Sequence, residues 1–247
     1  MQLTQKTSLV IGGTGGIGAA IINELLGRGD LVIATYHQSP PILSANSVHW
    51  VQMDVKSERS IQAAFRQIQN ISAHLDWVIN AVGLLHTTSQ RPEKALSQID
   101  PDFFMQNIQI NALASLLIAK ALKPLFAKAD KSEQNPAIFA TISARVGSIS
   151  DNQLGGWYSY RMSKAALNMG MKNLSLEWQR SLKNVCVVVL QPGTVDTKLS
   201  KPFQGNVSEE KLFLPEFSAA RLVAVLTTLS ASQSGSFLDW SGTTIPW

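Results

Sequence analysis

The sequence predicts an α/β fold, a doubly wound parallel sheet of about seven strands with helices on both faces. Three observations lead there. Short runs rich in β-branched residues alternate with longer stretches of helical period. The short runs are apolar throughout rather than at every second residue, the pattern of strands covered on both sides. The 247 residues, 45% of them hydrophobic, suffice for one well-buried core, so residues 1–247 are read as a single domain without internal repeats.

The elements follow in order. A strand at Ser8–Ile11 runs into the stretch LVIGGTGGIGAAI and a helix over Ile17–Arg28. Ile17, Ile21, Ile22, Leu25 and Leu26 form its apolar stripe, and Gly27 and Gly29 mark its end. Strands are expected at Leu31–Thr35, Val48–Gln52, Trp77–Ala81, Ala137–Ile142, Val185–Gln191 and, shorter, near Ser236–Asp239. Helices are expected at Glu58–Asn70, Asp102–Ala127, Tyr158–Leu182 and Pro215–Ser230. Right-handed crossovers make this a sheet whose ligands lie beyond the carboxyl ends of its strands. That puts the residues just after Ile11, Thr35, Gln52, Ala81, Ile142 and Gln191 at the ligand edge.

Composition narrows the partners. With 21 basic and 17 acidic residues the formal charge is +4, and the basic residues are scattered. The densest group, Lys120, Lys123, Lys128 and Lys131, is interrupted by Asp130 and followed by Glu133, which reads as a solvated face rather than a nucleic-acid stripe. Cys186, the single cysteine, sits in the apolar run VCVVVL and is expected as a small buried hydrophobe. The start MQLTQKTSLV lacks the apolar core of a signal peptide, and no uninterrupted apolar run approaches the ~20 residues that span a bilayer. A cytoplasmic protein without membrane, metal or nucleic acid is expected.

Glycine between a strand and a helix lets the backbone approach a pyrophosphate, to which the helix N-terminus offers free N–H groups. Two registers fit: Gly13, Gly15 and Gly18 as G-x-G-x-x-G, or Gly12, Gly16 and Gly18 as G-x-x-x-G-x-G. An NAD site would place an acid at the end of the second strand to bind the ribose 2′-OH. That strand instead ends in Thr35, Tyr36 and His37, while Asp30 lies at its other end. NADP(H) is therefore favoured over NAD(H), with His37 assisting when protonated.

The stretch GGWYSYRMSKAALNM puts Tyr160 and Lys164 four residues apart, on one helix face. A phenol is a poor base near neutrality, but a neighbouring ammonium and an oxidised nicotinamide both favour phenolate. Tyr160 could then exchange a proton with a carbonyl or alcohol while hydride moves. Taken alone, the pair also fits an ordinary helix.

With the glycines, the pair resembles the short-chain dehydrogenase/reductase family, in its ~250-residue branch, nearly end to end. IGGTGGIG is similar to that branch's T-G-x-x-x-G-I-G, which selects Gly12, Gly16 and Gly18, with Thr14 and Ile17 between them and Ile11 in place of the leading Thr. MDV, with Asp54 and Val55, resembles the segment that contacts adenine. INAVG resembles N-N-A-G, with Asn80 as its first Asn, Ala81 in place of the second, and Gly83 as the glycine. Asn111 matches the helix Asn of the family's proton relay, and QPGTVDT its nicotinamide-holding segment through Pro192, Gly193, Val195 and Thr197. ARVGSISDN, the Tyr160 stretch and the ending FLDWSGTTIPW resemble the C-factor and sniffer-type carbonyl reductases.

The resemblance implies a Rossmann fold and an NAD(P)(H)-dependent oxidoreductase interconverting a carbonyl and a secondary alcohol. Its small-molecule substrate would be reduced with NADPH. Tyr160 is then the acid/base, Lys164 binds the ribose and lowers the Tyr160 pKa, and Asn111 holds a relay water. One departure stands out: where the family carries a Ser pair after the fifth strand, TISARVGSIS has Ser143 first and Ala144 second. Ser143 is the expected hydroxyl donor and Ser148 the reserve. A non-catalytic NADP(H)-binding sensor is the alternative. TKLSKPFQGNVSEEKLFLP, within 197–215, is the expected substrate lid, and Trp157, Phe203 and Phe213 are expected pocket walls. Trp240 and Trp247 are assigned to the core or an interface, and the long helices to a homodimer or homotetramer contact.

Overall fold

The computed structural model describes residues 5–39, 47–129 and 131–247. Met1–Thr4 and Asp130, which entered the reading of the sequence, lie outside them. The first half of the chain forms β1 (Thr7–Ile11), α1 (Gly16–Gly27), β2 (Leu31–Tyr36), β3 (Val48–Gln52), α2 (Glu58–Ile71) and β4 (Trp77–Asn80). Next come α3 (Pro101–Ile108), a π turn (Gln109–Leu113), α4 (Ala114–Phe126), β5 (Ala137–Ile142) and α5 (Tyr158–Ser181). The rest is β6 (Val185–Gln191), β7 (Thr194–Val195), β8 (Leu212–Phe213), α6 (Pro215–Thr228) and β9 (Ser236–Asp239).

Seven strands make one parallel sheet in the order β3-β2-β1-β4-β5-β6-β9, the doubly wound arrangement expected. The strand order reverses between β1 and β4, which opens a crevice at their carboxyl ends. Alternate side chains of each strand enter separate cores. Leu9, Ile11, Ile33, Val78, Phe139 and Val187 pack with α2, α4 and α5. Val10, Val32, Ala34, Ile79, Ala140 and Val188 pack with α1 and α6. Both faces are therefore dry, which is why the strands read as apolar runs. Cys186 is buried and unpaired in the second core.

The helix expected over Asp102–Ala127 is one continuous helical stretch interrupted by the π turn. Its 26 residues, Pro101–Phe126, reach the length and mean hydropathy (1.2) of a membrane-crossing helix. Polar residues from Asp102 to Ser115 divide it, so no uninterrupted apolar run shows it. Its inward residues Phe103, Ile118, Leu122, Leu125 and Phe126 are buried. Three of the four clustered lysines pair with acids of neighbouring elements: Lys120 with Glu58 (2.9 Å), Lys123 with Glu177 (3.3 Å) and Lys131 with Asp76 (2.6 Å).

Candidate active site

A cleft of about 350 Å³ lies at the switch point, lined among others by Gly12, Thr14, Gly15, Tyr36, His37, Asp54, Val55, Ala81 and Gly83. The glycines behind it have different jobs. Gly12 adopts φ +81°, and a Cβ there would lie 2.9 Å from the Val82 side chain. A Cβ on Gly18 would fall 2.2 Å from the Gly12 carbonyl oxygen, and one on Gly16 would meet Thr197 at 2.6 Å. Gly13 faces the core instead, 2.7 Å from Ile22 and 2.9 Å from Trp50 by the same measure. Helix α1 then starts with no side-chain cap and no acid in its first turn. This is a backbone cradle with unopposed donors, chemically suited to a pyrophosphate. Thr35 fixes it, accepting from Gly12 N–H at its hydroxyl (3.1 Å) and from Gly13 N–H at its carbonyl (2.9 Å).

At the end of β2, His37 Nε2 lies 3.8 Å from Asp54, whose carboxylate also accepts from the Lys56 N–H at 2.9 Å. Asn80 does not face the cleft. Its amide donates to Ser115 Oγ (2.9 Å) and its oxygen accepts from Val82 N–H (3.2 Å), so it braces the wall from behind. Gly193, at φ +84°, brings the backbone against Phe213, and Pro192 accepts from Ser218 Oγ (2.8 Å). Val195 is buried in β7, and Thr197 meets the glycine turn at Gly16.

Tyr160 and Lys164 are both buried on the first two turns of α5, as their spacing requires. Lys164 Nζ donates to the Ile142 carbonyl (3.0 Å) and lies 5.8 Å from the Tyr160 ring centroid. Asn111 sits in the π turn, whose extra residue redirects the helix face. Its oxygen accepts from Leu84 N–H (2.7 Å), and its amide donates to Leu84 O (2.8 Å) and Ser163 Oγ (2.9 Å). A Cβ on Gly83 would lie 3.6 Å from both Asn111 Oδ1 and Lys164 Nζ. Glycine there keeps the space between the two side chains open.

Burial pushes the Tyr160 phenol well above its usual range and the Lys164 ammonium down to about 8. The phenol is thus raised where a lowered value was expected, and desolvation is the cause. The expected hydroxyl donors are committed elsewhere as well. Ser143 Oγ donates to Asn168 Oδ1 (2.8 Å), and Ser148 Oγ donates to the Pro246 carbonyl (2.6 Å). Neither hydroxyl offers its proton to the cleft, and Ala144 has none.

On the substrate side the aromatic ring of Trp157 lies 6.2 Å from that of Tyr160 and 5.1 Å from that of Phe203, which lies 5.7 Å from His86. Trp157 thus packs on Tyr160, and Phe203 packs on the other side of that aromatic cluster, against Trp157 and His86. Phe213 does not join it; it packs on Phe217 (4.8 Å) and Trp240 (4.9 Å) behind Gly193. Trp247 stacks on Phe237. Sequence reasoning passed over two buried polar residues, Glu93, which is bonded to the start of α5, and Asn168, which lies on α5 and is bonded to Ser143, because a single Glu or Asn carries no periodic signal.

Fold and site together define a dinucleotide-binding oxidoreductase of the doubly wound class. The short chain dehydrogenase family model matches residues 6–207, and the chain belongs to that family. It is 32% identical over 243 residues to the 1-hydroxy-2-glutathionyl-2-methyl-3-butene dehydrogenase of Rhodococcus sp. (strain AD45), covering 98% of this chain and all of that one. It is also 32% identical over 153 residues to C-signal of Myxococcus xanthus, covering 62% of this chain and 84% of that one. The NADPH-bound carbonyl reductase from chicken fatty liver superposes with a TM-score of 0.86 at 27% identity, over 99% of this chain and all of that one. The protein is accordingly an oxidoreductase acting on CH–OH or C=O groups of a small molecule with a nicotinamide cofactor.

Two expectations follow. Gly18→Ala should destabilise the fold by about 2 kcal/mol, read by urea denaturation, because the new methyl meets backbone that cannot give way. The second concerns Lys164, whose value is about 8 folded and 10.5 ordinarily. Between these the unfolded chain holds a proton that the folded chain has released, so rising pH favours the folded state. The burial penalty applies in full below about pH 8 and is relieved toward 10.5. The stability of the natural protein relative to Lys164→Met should therefore rise with pH across that window; a flat difference would contradict it. Tyr160 and Cys186, raised by burial, act oppositely, but they are common to both proteins.

Proposed function

We propose that this chain is an NADPH-dependent carbonyl reductase with Tyr160 as its general acid/base. The observation that carries the reading is the buried Tyr160–Lys164 pair, whose amine lies beside Gly83, a residue lining the cleft that starts at the glycine turn. The cofactor preference draws on the absence of an acid at the end of β2 and on the NADPH-bound relative. Gly12, Thr14, Gly16, Ile17 and Gly18 would hold the pyrophosphate. Tyr36 and His37 would face the adenosine ribose, and Asp54 and Val55 the adenine. Asn80, Ala81 and Gly83 would form the middle of the wall, while Pro192, Gly193, Val195 and Thr197 would hold the nicotinamide end.

Bound there, the nicotinamide dinucleotide supplies or accepts the hydride. The residues handle the proton. Tyr160, kept protonated by burial, is the acid that carbonyl reduction needs; it donates from its hydroxyl to the substrate oxygen. Lys164 binds the cofactor's ribose, and Asn111 holds the relay by which Tyr160 regains a proton. Ser143 acts by fixing α5 through Asn168. Residues 197–215 form a lid, since Phe203 reaches Trp157 and Lys198 O lies 3.3 Å from His86 Nε2. The reading includes a cytoplasmic homodimer or homotetramer, joined through the apolar residues exposed on α4 and α5, such as Leu116, Met162, Met169 and Leu176. The committed hydroxyls of Ser143 and Ser148 favour one rival, an NADP(H)-binding sensor without turnover.

The deciding assay follows loss of NADPH, and separately NADH, with aldehydes, diketones and quinones. A glutathionyl alcohol with the oxidised cofactors belongs in the same panel, in view of the Rhodococcus relative. NADPH should be oxidised in preference to NADH, and Tyr160→Phe should lower the rate by roughly 10²–10⁴. Tight NADPH binding without turnover on any substrate would establish the sensor instead. Ala144→Ser restores the hydroxyl that the family's second Ser provides, and should raise kcat about tenfold. An unchanged kcat would mean the substrate oxygen already has its donor.

A further inference from the structure

Helix α5 has no cap of its own. Trp157 stands at its N-cap position in the left-handed region (φ 52°, ψ 43°), and its own side chain accepts nothing from the first turn. A bulky residue in that conformation is strained and persists only where its surroundings impose it. What imposes it comes from far back along the chain, in the loop between β4 and α3. The Glu93 carbonyl accepts from Trp157 N–H (2.5 Å). The Glu93 carboxylate accepts from Ser159 N–H (3.1 Å) at one oxygen and from the Ser159 hydroxyl at the other. Gly155 and Gly156, both at positive φ, bring the backbone close enough for this. Glu93 is 2% exposed and forms no ion pair among the described residues. Its carboxyl group is held at the helix N-terminus by the Ser159 N–H and hydroxyl.

We infer that Glu93 is a positioning residue for Tyr160. The inference rests on the reading of Tyr160 as the acid/base. Ser159 immediately precedes Tyr160, so the carboxylate that fixes Ser159 fixes the turn from which the phenol projects. The same loop begins at Gly83 and Leu84, which Asn111 grips, and it carries His86 against Phe203. One segment thereby ties the relay, the lid and the catalytic turn together.

The test compares the natural protein with Glu93→Gln and Glu93→Ala, reading kcat and KM against pH, NADPH affinity and melting temperature. Glu93→Ala should lose about tenfold or more in kcat, with NADPH affinity kept within about twofold, because the turn is displaced and the cleft is not. Glu93→Gln keeps an acceptor and removes the charge. It should recover most of kcat, whereas Glu93→Ala should not. Lower melting temperatures with an unchanged kcat would overturn the inference and leave Glu93 a structural cap. If the natural protein turns over no carbonyl, the functional reading fails first. The inference then rests on the ¹³C-tyrosine resonance of Tyr160, identified by its loss in Tyr160→Phe. That signal should shift in Glu93→Ala while Tyr36 stays in place, and an unmoved Tyr160 signal would overturn it.

Discussion

The seating of α5 against the end of β5 is the contact on which the rest of the site depends. Lys164 reaches back to the Ile142 carbonyl, and one turn on Asn168 accepts from Ser143 and donates to the Gly147 carbonyl. Gly147 has to be glycine, since a Cβ there would lie 2.8 Å from the Lys164 Cβ. Backbone and helix approach so closely that the β5–α5 connection cannot shift without moving Lys164. The other end of α5 is anchored by Trp178, fully buried between Phe126 and Phe139. A helix held at both ends can present a buried phenol and a buried amine in fixed relation, which a loop could not do.

Much of this was legible because it is local. Strands buried on both faces must be apolar throughout, and a covering helix must carry a stripe, so both show in composition and period. The Tyr160–Lys164 spacing fixes a shared helix face before any tertiary contact forms. The glycine turn was only half legible. Gly12 and Gly13 are adjacent and chemically identical, and only the packing of Gly13 against Ile22 and Trp50 separates a core glycine from one facing the cleft.

The unread part is long-range. Ser143 looks like a donor from its place after β5, yet its proton goes to a residue 25 positions later. Lys164 looks like a group that acidifies a phenol, yet the degree of burial decides the sign, and burial is a property of the whole fold. The π turn at Asn111 breaks no hydrophobic period, so nothing in the pattern marks the extra residue. Glu93 lies in a loop that had no assignment, and its importance comes from where that loop returns.

These long-range features share an electrostatic logic. Burial drives Tyr160 and Lys164 in opposite senses on the pKa scale but toward the same result, a pair carrying as little charge as possible. A site so arranged holds its proton on the tyrosine until another charge enters, and in a low-dielectric pocket an entering charge acts strongly. Carbonyl reduction asks for a proton donor at rest; alcohol oxidation asks for a base at rest. The proposed reduction draws on the first of these, and the burial behind it belongs to the seating of α5 rather than to any single side chain.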